Sequence, residues 1–293
     1  MTTKIFIEYI AGLGDALIDI PYFKKYIKEN PSHEIHIHCD NTIQEIFNEF
    51  CKEIKVVEVS DNRNFDPSKI DSKFKNAYDQ HKIINGLLSW AFYIKSKTPL
   101  WKQRGECFFP NINIVEDELH IDPKTDVPLD IFNDFKNPVI FNASKPFLSA
   151  QGKALSKDMW DSIINSFTNI TFIQIGSSNT DYTFSQDNVI NLRDKPIVIA
   201  LSLIPFAKFL IGTDNVLNHA SKCFRKQGIF FWGSNSPEQY GYAQNINLYN
   251  PKDCSPCLHN RAGSKSYCCQ HPHIDTIELN EILDSIKKLL KET

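Results

Sequence analysis

The residues best suited to chemistry stand near the start of the chain, where an apolar run meets a glycine-rich turn. Ile5-Phe6-Ile7 predicts a buried strand, and Gly12-Leu13-Gly14-Asp15 follows it. A strand, a glycine-rich turn and a helix start form an anion site, because free backbone N–H groups and the helix dipole converge there. A carboxylate in the middle of that turn would repel a bound pyrophosphate. We therefore interpret Asp15 as a candidate catalytic group beside a substrate cleft.

Two other interpretations of the turn stay open. A nicotinamide site would carry a third glycine where this chain has Leu17, although an acidic residue for the ribose does stand after the second strand, at Asp40. That hypothesis, based on Gly12, Gly14 and Asp40, implies an oxidoreductase. The structural alternative is a tight strand-to-helix turn that binds no ligand.

A second polar group follows another predicted strand. Thr213 or Asp214 is expected to cap the next helix, with Asn215 beside them, so that N–H donors suited to a phosphate converge again. His219 falls one turn into this helix, and its structural alternative is a core histidine with satisfied nitrogens. Gly233 begins a run of small residues at a further strand end. In open α/β sheets, ligands bind at such carboxyl ends.

Strand and helix patterns alternate at both ends of the chain and position these groups. In the first half we expect strands at Lys4–Tyr9, Glu34–His38 and Lys55–Val59, with helices over Asp15–Lys28 and Asn41–Phe50. Between Ser60 and Pro128 the pattern is poor, and Ile83–Ile94 predicts a helix. In the second half we expect strands at Pro138–Asn142, Ile170–Ile175, Asn188–Leu192, Lys208–Ile211 and Gln227–Trp232, and helices at Lys157–Phe167, Ile197–Phe206, Asp214–Cys223 and Ile277–Leu290.

This alternation predicts two Rossmann-like domains with parallel sheets facing a central cleft. The predicted domains are residues 1–130, residues 131–276 and a terminal helix over 277–293.

Composition narrows the class of protein. The chain has 293 residues, 42% hydrophobic and 23% charged, with a formal net charge of -3. This balance argues against a nucleic-acid binder, which usually carries a basic stripe. We expect a cytoplasmic protein without a signal peptide. The most apolar window is broken by Pro205 and Lys208 and is too short to span a bilayer, while binding at the inner membrane surface stays compatible with the sequence.

A cysteine-rich loop over residues 254–269 is the other strong local signal. Cys254-x-x-Cys257 is followed after ten residues by Cys268-Cys269. The first pair has the spacing of a metal hairpin, so a structural zinc or iron is one interpretation. Reduced buried thiols and a redox pair are the others. Four protein ligands would leave no open coordination position, which favours a structural role over catalysis.

Three stretches together resemble glycosyltransferase family 9, the ADP-heptose:lipopolysaccharide heptosyltransferases. They are Gly12-Leu13-Gly14-Asp15 through Pro21, Gly152-Lys153 through Trp160, and Gly212-Thr213-Asp214 through Ala220 with Gly233 to Pro237 beyond. The resemblance implies the GT-B fold and an inverting, metal-independent transfer of a sugar, foremost a heptose, from an ADP-sugar to a glycan or lipid-linked acceptor. No cofactor is then needed for catalysis.

The resemblance also implies roles for individual residues. Asp15 matches the general base that takes the proton of the acceptor hydroxyl, and Lys153 matches a lysine that contacts the donor phosphate. Thr213, Asp214 and Asn215 match the helix start that cradles the diphosphate. Gly14, His219 and Gly233 complete the expected donor-binding set. A catalytically inactive GT-B module that binds a glycan or a partner is the non-enzyme alternative.

Overall fold

The computed structural model describes residues 2–60, 78–85, 98–122, 134–145, 154–251, 255 and 273–292. The chain divides into two compact units, Met1–Tyr93 with Leu100–Pro123 and Ile94–Pro99 with Lys124–Thr293. Each unit is built on its own parallel sheet with helices beside it. Among the described residues, no helix has the length and apolar character needed to cross a bilayer.

The first unit contains a four-stranded sheet, and its described helices lie between or after the strands in the sequence. Its elements are β1 (Thr3–Ile10), α1 (Leu13–Glu29), β2 (His33–Asp40), α2 (Asn41–Phe50), β3 (Lys55–Ser60), β4 (Gln80–Asn85) and α3 (Leu100–Phe108). The strand order is β3-β2-β1-β4, and every neighbouring pair is parallel. The βαβαβ half predicted from the sequence is therefore confirmed.

Helix α1 carries the candidate base and is fixed by burial. Every residue of α1 from Ala16 to Phe23 is buried, so this part of the helix is enclosed on all sides. Phe23 packs edge-on against Phe47 of α2, with ring centroids 5.6 Å apart. Pro21 lies inside α1, where it removes a backbone donor. Burial and packing thus place this part of α1 in the core of the first unit.

Two elements of the first unit differ from the sequence prediction. The helix predicted over Ile83–Ile94 is wrong for its described part, because Ile83–Asn85 belong to β4 and pair with β1. Residues 86–94 of that prediction lie outside the described residues. Helix α3 lies in the stretch that showed no clear pattern. Both differences arise where tertiary pairing decides the local structure.

The second unit is a six-stranded parallel sheet. Its strands are β5 (Val139–Phe141), β6 (Phe172–Gln174), β7 (Val189–Asn191), β8 (Phe209–Thr213), β9 (Gly228–Trp232) and β10 (Ile246–Tyr249). Its helices are α4 (Lys157–Asn165), α5 (Ile197–Ser202), α6 (Val216–Cys223), α7 (Pro237–Tyr240) and α8 (Leu279–Glu292). The predicted helix over Ile197–Phe206 is divided into α5 and a short 3₁₀ turn at Ile204–Phe206.

The strand order of this sheet reverses at its first strand. The order is β10-β9-β8-β5-β6-β7, so β5 lies between β8 and β6. In such sheets ligands bind outside the carboxyl ends of the strands at the point of reversal. The neighbouring ends of β5 and β8 are therefore the place to look for a ligand site in this unit.

A core of buried apolar side chains stabilises the second unit. Phe141, Trp160 and Phe231 are fully buried against one another. The terminal helix α8 adds Ile282 and Ile286 to this core, so it packs as part of the second unit. Burial of each such apolar side chain contributes about 1.5–3 kcal/mol.

Candidate functional site

In the first unit, Asp15 lies in the opening turn of α1 and accepts a hydrogen bond from the turn itself. The Gly12 N–H donates to Asp15 Oδ2 at 2.9 Å, so the side chain at the third position of α1 caps the residue before the helix. Gly14 is the second residue of α1. The negative group at this turn is thus a carboxylate of the chain itself. The hydrogen bond from Gly12 holds one oxygen of Asp15 in place. The Asp15 side chain remains 21% exposed.

The other oxygen of Asp15 faces a buried cation from α3. Arg104 Nη1 lies 3.1 Å from Asp15 Oδ1, and the Arg104 side chain is fully buried. Its guanidinium carbon also lies 5.2 Å from the centre of the Phe108 ring. Since a buried charge is costly unless it is paired, the pairing of Arg104 decides whether this arrangement is stable.

A second carboxylate, one helical turn beyond Asp15, supplies that pairing. Arg104 Nε donates to Asp19 Oδ1 at 2.6 Å, and Arg104 Nη2 donates to Asp19 Oδ2. The Tyr9 hydroxyl of β1 donates to Asp19 Oδ2 at 2.8 Å. Residues four apart on a helix share a face, which is why Asp15 and Asp19 reach the same guanidinium. We call Tyr9, Asp15, Asp19 and Arg104 the Arg104 cluster.

Burial and the neighbouring charges shift the pKa of Tyr9, Asp19 and Arg104. Burial works to lower the pKa of Arg104, but Asp15 and Asp19 outweigh it and raise that pKa well above the ordinary value. Burial raises the pKa of the Asp19 carboxyl, and Arg104 opposes that rise. Burial, followed by the charge of Asp19, raises the pKa of Tyr9. Arg104 therefore stays charged and Tyr9 stays a hydrogen-bond donor.

A glycine lets α3 come close enough to α1 for these contacts. A Cβ at Gly105 would lie 2.5 Å from the Tyr22 hydroxyl, so the position has no room for a side chain. The Tyr22 hydroxyl donates to the Trp101 carbonyl at 3.0 Å. Gly105 thus places the neighbouring Arg104 against α1.

The acidic residue of the nicotinamide alternative has a local role. Asp40 Oδ1 accepts from the backbone N–H groups of Thr42 at 2.8 Å and Ile43 at 3.0 Å. Asp40 is therefore the N-cap of α2. This cap accounts for its position without a ribose.

In the second unit, polar side chains meet where the strand order reverses. Asn142 follows β5, and Asn215 precedes α6. Asn215 Nδ2 donates to Asn142 Oδ1 at 2.9 Å, while Asn215 Oδ1 accepts from Leu217 N–H at 2.8 Å. Asn215 is thus the N-cap of α6, and the prediction that Thr213 or Asp214 caps this helix is wrong. An asparagine cap leaves its amide donor free to tie the two strand ends together.

The end of β6 completes this network through a buried carboxylate. Asp181 Oδ2 accepts from Asn142 Nδ2 at 3.0 Å and from Ser177 N–H at 2.9 Å. Gly176 adopts φ +130°, and a Cβ there would lie 1.9 Å from Asp181 Oδ2. Only glycine fits, because the backbone conformation and the close carboxylate both exclude a side chain.

The other predicted donor-binding residues lie at or near the same sheet edge. Thr213 ends β8 and is buried, and Asp214 Oδ2 accepts from Asn235 Nδ2 in the loop after β9. Gly233 directly follows β9. His219 is buried in α6 with Nδ1 2.9 Å from the Tyr242 hydroxyl, a contact that the structural alternative expects.

Some predicted site residues lie outside the described residues, namely Lys153, Cys254, Cys257, Cys268 and Cys269. Within the described ranges, no group of three or more His, Cys, Asp or Glu side chains could hold a metal ion. Sequence reasoning missed Tyr9, Asp19, Arg104, Asn142 and Asn235. The available signal was the spacing of Asp15 and Asp19, which predicts one shared face of α1.

Comparison of the structure with solved structures identifies the fold. A glycosyl transferase family 9 protein from Veillonella parvula DSM 2008 matches with a TM-score of 0.71 at 13% identity, over 99% of this chain and 98% of that chain. The iron-containing dodecameric glycosyltransferase TibC from enterotoxigenic E. coli H10407 matches with a TM-score of 0.68 at 15% identity, over 100% and 81%. E. coli ADP-heptose lps heptosyltransferase II matches with a TM-score of 0.64 at 12% identity, over 99% of both chains.

No protein-family model and no curated protein matches the sequence. The similarity to known proteins is therefore one of structure. The resemblance seen in the three sequence stretches is confirmed at the level of the fold, since all three solved structures match over nearly the whole of this chain. The chain has the fold of the family 9 glycosyltransferases and heptosyltransferases.

Proposed function

We propose that this protein is a glycosyltransferase that moves a sugar, foremost a heptose, from an ADP-sugar to a glycan or lipopolysaccharide-type acceptor. The observation that carries the proposal is the Asp15 carboxylate, held at the start of α1 in a fold shared with heptosyltransferases. One solved neighbour, the E. coli heptosyltransferase WaaC, has a structure with ADP. A nucleotide-sugar donor for this chain is inferred from that similarity of fold.

Asp15 has the features that a general base requires. Its carboxylate is partly exposed, and its rotamer is fixed by the Gly12 N–H on one oxygen and by Arg104 beside the other. A fixed base near a reacting hydroxyl typically contributes about 10²–10⁴-fold to a rate. Asp15 would take the proton of the acceptor hydroxyl as its oxygen attacks the anomeric carbon.

The sheet edge of the second unit suits the departing diphosphate. As the new bond forms, the bond from the anomeric carbon to the diphosphate oxygen breaks, and negative charge builds on that oxygen. Helix α6 directs its positive end toward this edge, where Thr213, Asp214 and Asn215 lie. The Leu217 N–H already donates to Asn215, so the phosphate would be stabilised by the helix end as a whole.

We infer that the transfer is metal-independent and inverting. The sequence contains no Asp-x-Asp pair of the kind that holds a catalytic divalent cation. Lys153 and the positive end of α6 would neutralise the diphosphate instead. A single displacement with Asp15 as base inverts the anomeric carbon.

Ligand binding and product release test the proposal. Calorimetry with ADP and with NAD, and ADP release from ADP-heptose with water as the acceptor, are measured on the purified protein. We expect ADP to bind and to raise the melting temperature, since a ligand at 100 times its Kd stabilises by about 2.7 kcal/mol. Binding of NAD in place of ADP would support the oxidoreductase. ADP binding without ADP release would support the inactive module.

A further inference from the structure

The guanidinium of Arg104 is shared unequally between its two carboxylates. Asp19 takes one edge through Nε and Nη2, which is the two-point geometry of a strong ion pair. Asp15 is left with Nη1, at 3.1 Å from Oδ1. Nη1 is buried and makes no hydrogen bond of good geometry, so its contact with Asp15 is an ion pair. Asp19 thus holds Arg104, while Asp15 only faces it.

We propose that Asp19 is a positioning residue for the general base. Anchored by Tyr9, it orients Arg104 and offsets its charge, so that Arg104 fixes the Asp15 carboxylate without removing its ability to accept a proton. The inference rests on the proposed role of Asp15 as base and names the residues that keep it competent. Arg104 and Tyr9 are positioning residues of the same device.

Charge balance supplies the physical reason. A buried guanidinium paired with Asp15 alone would strongly favour the ionised carboxylate and would make it a poor base. With Asp19 bound at two points, the Arg104–Asp19 pair is close to neutral. The cluster then carries one net negative charge, which becomes zero when Asp15 accepts the proton. Proton uptake therefore leaves no uncompensated charge in a buried place.

The other titratable groups around the cluster do not disturb this balance near neutral pH. Burial raises the pKa of Tyr9, and burial, with Asp19 next, raises that of Tyr22, so both hydroxyls stay protonated. The charge of Glu106 on α3 adds to the rise in the pKa of Tyr22. Within the described residues, Asp15 is joined to Arg104 and, through it, to Asp19.

The geometry also explains why an arginine is required. Three nitrogens of one rigid group reach two carboxylates four residues apart on α1. A lysine presents a single ammonium and cannot make the two-point contact with Asp19 while it faces Asp15.

Two substitutions with opposite expected effects test the inference. In Asp19→Asn, the charge of Arg104 acts on Asp15 alone. We expect the titration midpoint of the Asp15 carboxyl, followed by ¹³C NMR of labelled aspartate and assigned with Asp15→Asn, to fall by about one pH unit or more. In Arg104→Gln, the two carboxylates face each other without a cation, and the midpoint rises. The acidic limb of the kcat profile for ADP release from ADP-heptose should follow the same two directions.

Two further variants distinguish an effect on the charges of the cluster from a loss of stability. Tyr9→Phe removes the hydrogen bond to Asp19 and the longer 3.5 Å bond from Arg104 Nη2, and it should produce a smaller shift in the direction of Asp19→Asn. Ile43→Ala opens the buried core of the same unit without touching a charge, and it should lower the melting temperature while leaving the midpoint in place.

The outcomes separate this inference from the proposed function. Opposite shifts of the midpoint support the inference, and matching shifts of the kcat limb extend that support to catalysis. Equal midpoints in wild type, Asp19→Asn and Arg104→Gln overturn it, whatever the activity. Opposite NMR shifts in a protein that releases no ADP support the coupling of Asp19 to Asp15 and count against the proposed function alone.

Discussion

At the scale of single residues, the Arg104 cluster brings three charged side chains, Asp15, Asp19 and Arg104, into contact. Arg104 and Asp19 are fully buried, whereas Asp15 keeps part of its surface open. Removing one partner of a buried ion pair typically costs 3–5 kcal/mol, because the other charge is left uncompensated. Replacing both partners of such a pair by apolar side chains is often neutral or stabilising, so we interpret the arrangement as support for the partly exposed Asp15 carboxylate.

Replacing that carboxylate should strongly slow turnover and spare the donor site. For Asp15→Asn we expect kcat for ADP release from ADP-heptose to fall by about 10²–10⁴-fold, with ADP affinity within about twofold of wild type. Steady-state kinetics and calorimetry measure the two quantities. Glu29→Gln is the matched control, since it neutralises an exposed carboxylate at the other end of the same helix. Unchanged kcat in Asp15→Asn would remove Asp15 from the mechanism.

At the scale of elements, the sequence predicts the helices and strands that have an apolar pattern. It misses the elements that depend on tertiary contacts. Strands β1 and β8 were visible as short, continuously buried apolar runs, and helix α2 was visible because its buried residues recur with the period of a helix. Helix α3 was not, because its buried face consists of Leu100 with Gln103, Arg104 and Gly105. A polar face that packs on ion pairs has no hydrophobic signature. For the same reason the support of Asp15 escaped detection while Asp15 itself did not.

The role of the N-terminus of α6 can be tested by a pair of substitutions that differ in charge. Asn215→Ser and Asn215→Asp both retain a side-chain oxygen that can cap the helix. Only the aspartate adds a negative charge beside the proposed diphosphate. A repulsion of about 1–4 kcal/mol at contact distance corresponds to a roughly 5- to 1,000-fold loss of ADP affinity.

Calorimetry of the two Asn215 variants with ADP therefore gives a comparison matched in capping and different in charge. We expect weak binding in Asn215→Asp and a smaller loss in Asn215→Ser, which reflects the lost contact with Asn142. Equal ADP affinity in the two variants would mean that the diphosphate binds away from this helix end. Melting temperatures of both proteins show whether the cap is kept.

At the scale of the whole molecule, seven of the eight cysteines fall into two groups with different chemistry, and the half-buried Cys107 belongs to neither. Cys39, Cys51 and Cys223 are buried in the cores of their units, and burial raises the thiol pKa of each to about 12. At pH 8 only about one such thiol in 10⁴ is the reactive thiolate. These three residues should be inert as long as the units stay folded.

We propose that the second group, Cys254, Cys257, Cys268 and Cys269, holds a structural zinc or iron, as its spacing indicates. Native alkylation with iodoacetamide at pH 8, read by mass spectrometry with and without a chelator, tests both groups in one protein. The four cysteines should react only after chelation, with release of about one metal ion per chain measured by elemental analysis. Cys39, Cys51 and Cys223 should react only in denaturant, which makes them an internal control for unfolding. Reaction of the four cysteines at the same rate before and after chelation would show that they are free thiols, because a metal-bound thiolate is protected until its ion is removed.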